Sequence, residues 1–296
     1  MSSNPPSSTT ITRSTFDQAL KLYPSLVEKV YASKLRNDAK KVTEALKRDR
    51  WRFEELPSLI AERRGKGKGD GEGLSKDEVE RLVLWKITHG HSRPFLPGMV
   101  RKNDASAIEM QTSLAFRELA SNSNSKSTSF ATVSTALDLV CKLTGIGPAT
   151  GTLILNVFDS EHIPFFQDEM FAWFFPKSGK LKYTAKEYLQ LFEAVTPVLK
   201  RLSVSARDLE KVTYVLGHLE FLGDGEREAL EKPSKASDEA LPENEEIPEQ
   251  EDDEKKATTD QKDPVVSKKA KKRTAEEDDR DKDETQTPKR RSQRKT

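Results

Sequence analysis

The stretch Leu143-Thr-Gly-Ile-Gly-Pro-Ala-Thr150 lies between two segments of helical periodicity, and its reading decides the fold. Gly145 and Gly147 stand one residue apart and permit a tight turn. Lacking Cβ atoms, they also let another backbone approach closely. Amide N–H groups then point outward at the start of the following helix, where the dipole favours an anion. The backbone of Gly145, Ile146, Gly147, Ala149 and Thr150 is therefore expected to grip a phosphate. A plain helix–helix turn fits the same residues. A dinucleotide fingerprint fits less well, because no strand precedes the turn and no third glycine follows at the required spacing.

Working outward, Val133, Leu137 and Val140 recur at helical spacing after a Ser/Asn-rich loop over 121–129. Ser75 and Glu78 form a capping box, with Leu74 and Val79 as a hydrophobic staple and Gly90 at the far end. Another helix is expected from about Ala105 to Leu119. Thr184 with Glu187 and Ser205 with Asp208 read as N-caps of helices running to about Leu202 and Leu222. Nearer the N-terminus come Phe16, Leu20 and Leu22, then Leu26, Val27, Val30 and Tyr31 beyond Pro24, then Val42, Leu46 and Trp51. Pro57 opens a short helix through Leu59 and Ile60. No convincing period-2 strand and no internal repeat is visible, so the expected fold is all-α.

Composition sets the domain limits. Charged residues make up 33% and the apolar set only 34% of 296 residues, too few apolar side chains for the whole length to share a core. The deficit lies at the end, where 17 Lys/Arg and 20 Asp/Glu crowd into residues 229–296 without one aromatic ring. A disordered tail is expected over 225–296, a disordered N-terminus over 1–13, and one all-α domain over 14–224. Five glycines in residues 65–73 make a flexible loop within that domain. The lone Cys141 excludes an intramolecular disulfide, a four-cysteine zinc site and an iron–sulfur cluster on this chain's thiolates. The apolar runs are too short for a membrane span, and the start lacks a signal-peptide layout, so no membrane partner is expected.

Beyond the turn the chain continues Leu153-Ile-Leu-Asn-Val-Phe158 and then His162-Ile-Pro-Phe-Phe-Gln-Asp168-Glu-Met-Phe-Ala-Trp173. Over roughly 130–175 this resembles the helix-hairpin-helix DNA glycosylases, whose shared pattern is an L-x-G-[VI]-G hairpin, a helix, and a Pro-containing loop ending in Asp. Asp168 stands 19 residues past Ala149, matching the family's separation between its lysine position and its aspartate. The resemblance implies cleavage of an N-glycosidic bond on a base flipped out of double-stranded DNA, intact or damaged. Asp168 would stabilise the oxocarbenium-like transition state and orient or deprotonate the attacking water. Alternatively, Asp168 caps a helix beginning at Glu169. The lyase-type members' lysine position is Ala149 here, so β-lyase activity of that type is not expected. The Asp-x-His-x-x-Arg continuation and the iron–sulfur loop of some members are absent. Within the superfamily, the blocks at 82–90, 145–150 and 183–188 look most like the glycosylase-like nuclear proteins of the Amun type. That resemblance implies a nuclear protein, with a non-catalytic DNA, chromatin or protein-interaction module as the alternative to an enzyme.

Trp85, Lys86, His89, His91 and Arg93 lie at the end of the capped helix and in the loop after it. They are candidates for stacking on a base and holding phosphates, together with Phe166 and Gln167; Trp85 as a core ring is the alternative. His89 and His91 lack third and fourth ligands, so no metal site and no cofactor are expected. In the tail, Lys268, Lys269, Lys271, Lys272 and Arg273 form one basic cluster and Lys289, Arg290 and Arg291 another. This is the pattern of a nuclear localisation signal read by an import receptor, or of a charge-balanced solubilising tail.

Overall fold

The computed structural model describes residues 6–65, 73–121 and 128–231. The two basic tail clusters, most of the Gly-rich loop and residues 1–5 lie outside that range. Among the described residues every regular element is helical, as the periodicity implies. Helix α1 (Arg13–Lys34) runs unbroken through Pro24, whose missing N–H and ring cost about 3 kcal/mol. Packing offsets that cost, since Tyr23, Leu26, Val27, Val30 and Tyr31 are all buried. Helix α2 (Ala39–Arg50) passes into a π-helical turn at Trp51–Glu55, and α3 (Leu56–Gly65) follows. The wider turn places Trp51, Arg52 and Phe53 in the interior in succession.

Helix α4 (Lys76–His89) carries both halves of the Ser75/Glu78 capping box and stops at Gly90. The short α5 (Leu96–Val100) leads to α6 (Ala105–Ser121), and α6 packs along α7 (Phe130–Val140). Then come α8 (Pro148–Phe158) and α9 (Asp168–Phe174), followed by α10 (Ala185–Leu202), opened by the Thr184/Glu187 capping box. Helix α11 (Ala206–Leu216) starts at the Ser205 cap, and α12 (Asp224–Glu231) closes the described chain.

Three boundaries differ from the sequence reading. Helix α11 ends at Leu216, and a separate 3-10 turn at Leu219–Phe221 continues toward Leu222. The domain reaches past 224, because Leu230 of α12 is buried against the core. Residues 6–12 are an ordered strap. Ile11 is only 1% exposed, its carbonyl accepts from Arg201 Nη1 at 2.8 Å, and the Pro6 carbonyl accepts from Trp173 Nε1 at 2.7 Å. Composition rich in Pro, Ser and Thr does not reveal backbone carbonyls recruited by distant donors.

One buried ion pair ties the first part of the chain to the last. Arg52 Nη2 donates to Glu210 Oε2 and to Asn156 Oδ1, both at 2.7 Å, with Arg52 and Glu210 almost fully enclosed. Asn156 in turn donates to the Ile163 carbonyl at 2.6 Å. The loop between α8 and α9 is thereby fastened to the core.

Candidate functional site

The turn between α7 and α8 is built as its glycines imply. Ile146 N–H donates to the Leu143 carbonyl at 3.1 Å, and Gly145 sits at φ +82°, a region L-residues avoid. A Cβ there would also lie 2.9 Å from Met99 Cβ. Gly147 is extended and exposed, with open space around it, and serves as N-cap of α8 with Pro148 in the first turn. Asn103 braces the turn from outside: its Oδ1 accepts from Thr144 N–H at 2.8 Å and its Nδ2 donates to the Thr144 carbonyl at 2.9 Å. The side chains of Ile146, Ala149 and Thr150 are buried, so whatever these residues offer a ligand comes from the backbone. Gly151 one turn later lets α7 approach, since a Cβ there would meet Leu137 Cδ1 at 2.5 Å.

Asp168 is the first residue of α9, with Gln167 in the capping position and no side-chain cap bond from it. Both carboxylate oxygens of Asp168 are engaged elsewhere. Oδ1 accepts from the Tyr183 hydroxyl at 2.7 Å, and Oδ2 lies 2.5 Å from His91 Nδ1. The preceding loop is pinned by Phe166 N–H on Thr152 Oγ1 at 3.1 Å and by the Tyr188 hydroxyl on the Pro164 carbonyl at 3.1 Å.

The turn, the end of α4 and the start of α9 enclose one cavity of about 280 Å³. Gly145, Gly147, Ala149 and Thr150 form one side, and Lys86, His89, His91 and Arg93 another; Phe166, Gln167 and Asp168 border it as well. Phe165 and the exposed Phe95 supply apolar wall. Across Asp168 a second groove of about 510 Å³ continues past Arg93, Phe171, Phe175, Lys180 and Tyr183.

Trp85 is a correction to the sequence reading. It is 1% exposed, donates from Nε1 to Asp49 Oδ1 at 2.8 Å, and borders none of these cavities. The indole is core and cannot stack on a ligand. His89 reaches the cavity edge but is itself sandwiched, with ring centroids 4.5 Å from Trp85 and 3.8 Å from Tyr214. Its Nδ1 is 3.0 Å from the Tyr31 hydroxyl, which donates to Asp49. Burial, with Lys34, Arg52 and His218 nearby, holds the His89 imidazolium well below its ordinary pKa, so the ring is neutral.

Three buried polar atoms of residues lining the cavity have no hydrogen-bond partner among the described residues: His89 Nε2, Gln167 Nε2 and Glu169 Oε2. Burial raises the Glu169 carboxyl, and the neighbouring Asp168 adds to the rise, while His218 and Lys34 pull it down. Burial likewise lowers the Lys86 ammonium, with Asp168 opposing and Arg93 assisting. The Tyr183 phenol is raised to about 12, mainly by burial and then by Asp168, so it stays a donor at neutral pH. Among the described residues no group of three His, Cys, Asp or Glu could hold a metal ion. No helix there is long and apolar enough to cross a membrane.

Sequence reasoning missed Glu169, Asn103 and Tyr183 as parts of this site. Glu169 follows Asp168 directly, and that adjacency is the one signal available. Asn103 and Tyr183 arrive through tertiary packing. No family model, no curated protein and no solved structure matches this chain.

Proposed function

We propose that this chain is a nuclear DNA-binding protein with a helix-hairpin-helix glycosylase fold, acting as a monofunctional N-glycosylase on a base flipped out of a damaged duplex. The observation that carries the reading is convergence. Two motifs separate in sequence, the glycine turn at 145–150 and Asp168, 19 residues past Ala149, border the same cavity.

Each part has a physical role. The amides at the start of α8 meet a backbone phosphate, with the α8 dipole adding to the attraction. An extruded base enters between Phe166 and the end of α4, where Lys86, His91 and Arg93 border the cavity. As the glycosidic bond lengthens, positive charge develops at C1′, and the Asp168 carboxylate stabilises it while orienting water for attack. Tyr183 and His91 hold that carboxylate in one orientation. The basic clusters at 268–273 and 289–291 support nuclear import through an import receptor.

The test uses the full chain and an Asp168→Asn variant with duplexes carrying alkylated, oxidised, deaminated and mismatched bases. Free bases are read by mass spectrometry. Release by wild type, reduced on the order of 10²–10⁴-fold in the variant, is the expected result. No release from any duplex, by folded protein that binds DNA, would leave a binding module without catalysis.

A further inference from the structure

We propose that the groove beyond Asp168 holds a second nucleotide, the one adjoining the flipped base, so that the site takes two consecutive unpaired nucleotides of one strand. The inference rests on the DNA reading above and adds to it the length of strand that leaves the stack.

The sequence sets the groove-forming segment apart. Residues 170–186 carry five aromatic rings and four lysines without one Asp or Glu. Cations interleaved with rings suit a single strand, which offers phosphates and base faces in alternation. Packing then sorts the rings. Trp173 is taken by the N-terminal strap through its Nε1 bond to the Pro6 carbonyl, and Phe174 lies edge-on against it with centroids 5.0 Å apart. Phe171 and Phe175, 4.8 Å apart, border the groove instead. Phe171 is buried, whereas Phe175 is half-buried and is the ring on which a base can stack.

The two cavities share His91, Arg93, Asp168 and Tyr183 as a common wall. A strand that delivers one base to the first cavity and the next base to the groove must cross that wall, and the phosphate joining them passes Arg93. Arg93 is exposed, with its guanidinium 5.8 Å from the Tyr183 ring centroid. Lys180, exposed on the same groove, meets the phosphate beyond the second nucleotide. Asp168 is the only carboxylate among the described residues bordering the groove, and Tyr183 and His91 engage its two oxygens. At about 510 Å³ the groove is roomier than the cavity of about 280 Å³ assigned to the flipped base, so a second base fits by size. Its entry requires that the neighbouring pair be open, which selects sites with two adjoining unpaired nucleotides over sites with one.

The experiment compares two labelled duplexes, one with a single mismatch and one with two adjoining mismatches, titrated with the full chain and followed by fluorescence anisotropy. Wild type should bind the second more tightly. Phe175→Leu, which keeps an apolar side chain and removes the ring, should lower affinity for the two-mismatch duplex roughly 5- to 150-fold, the worth of one base–aromatic stack, and leave the single-mismatch duplex nearly unchanged. Lys180→Glu, at an exposed position, should erase the same preference. A preference that survives both substitutions, or none in wild type, overturns the proposal and leaves DNA binding standing. Failure to bind either duplex overturns the DNA reading and the proposal with it. If Phe175→Leu does not fold, photocrosslinking of wild type to 5-iodouracil placed on either side of a mispaired nucleotide decides. A cross-link on Phe175 is the expected result, and none, or one only outside residues 170–186, overturns the proposal.

Discussion

The Tyr183 hydroxyl donates to Asp168 Oδ1 at 2.7 Å from a residue whose own backbone is left-handed, at φ +58°. A non-glycine residue in that region costs about 1–3 kcal/mol and persists only where its surroundings over-determine it. Here the Thr184/Glu187 capping box fixes the backbone immediately after, and the ring lies edge-on to Phe166 at 5.8 Å. Tyr183→Phe keeps the ring and removes the donor. Loss of a hydrogen bond to a charged group should cost about 1.5–3 kcal/mol of stability, and a carboxylate free to shift by about 1 Å should slow single-turnover base release by the folded variant by up to about 100-fold. An unaltered rate would remove Tyr183 from the positioning role.

The two turn glycines should separate folding from binding. Gly145→Ala meets both a positive φ and Met99 Cβ at 2.9 Å, so it should destabilise by at least about 1 kcal/mol in urea titration. Gly147→Glu enters open space from an extended backbone, so its stability should match wild type. Its carboxylate should repel phosphate and weaken duplex binding, with a shallower salt dependence. Equal DNA affinity for Gly147→Glu and wild type would place the phosphate elsewhere.

Trp85 should behave as a structural residue. Trp85→Phe deletes the Nε1 donor to Asp49, a buried carboxylate that also accepts from Tyr23 and Tyr31. About 1.5–3 kcal/mol of stability should be lost, while duplex affinity measured at a temperature where the variant is folded stays unchanged. Lowered affinity under those conditions would return the indole to the binding surface.

Glu210 gives the fold a pH dependence of unusual sign for a carboxylate. Burial raises its carboxyl to about 7 although Arg52 pulls it down across 2.7 Å. The unfolded group titrates near 4.5. Between those values the folded chain keeps a proton that the unfolded chain has released, so this contribution falls as pH rises from about 4.5 to about 7 and is level above. Urea midpoints across that window should show the decline in wild type, and Glu210→Gln should flatten it. Parallel pH curves for the two proteins would show that Arg52 wins.

Much of the architecture was legible because caps are local. Ser75 with Glu78, Thr184 with Glu187, and Ser205 with Asp208 each satisfy N–H groups three residues away, so sequence spacing alone locates the helix starts. The convergence of the glycine turn with Asp168 was readable only as a spacing. The hydrogen bonds from Tyr183 and His91 bridge 15 and 77 residues and leave no trace in any window. Trp85 was ambiguous for a related reason. Its neighbours Lys86 and Ile87 share the same turn of α4, and which of the three faces inward depends on α2 and α11, whose placement no local pattern gives. Residues 6–12 were misread because their order comes from Trp173 and Arg201.

The strap and the pairing of α1 with α11 also bear on how the protein is made. Arg13 Nη1 reaches the Leu202 carbonyl 189 residues away, and Arg201 reaches back to Ile11. At synthesis rates of about 5–20 residues per second, α1 emerges from the ribosome roughly 10–40 seconds before its partner helix exists. Its apolar face stands unpaired for that interval, and contacts of such long sequence separation also slow folding afterwards. The wall of the cavity that His89 forms, stacked on Tyr214, is therefore completed only after α11 has been made, long after α4 has emerged.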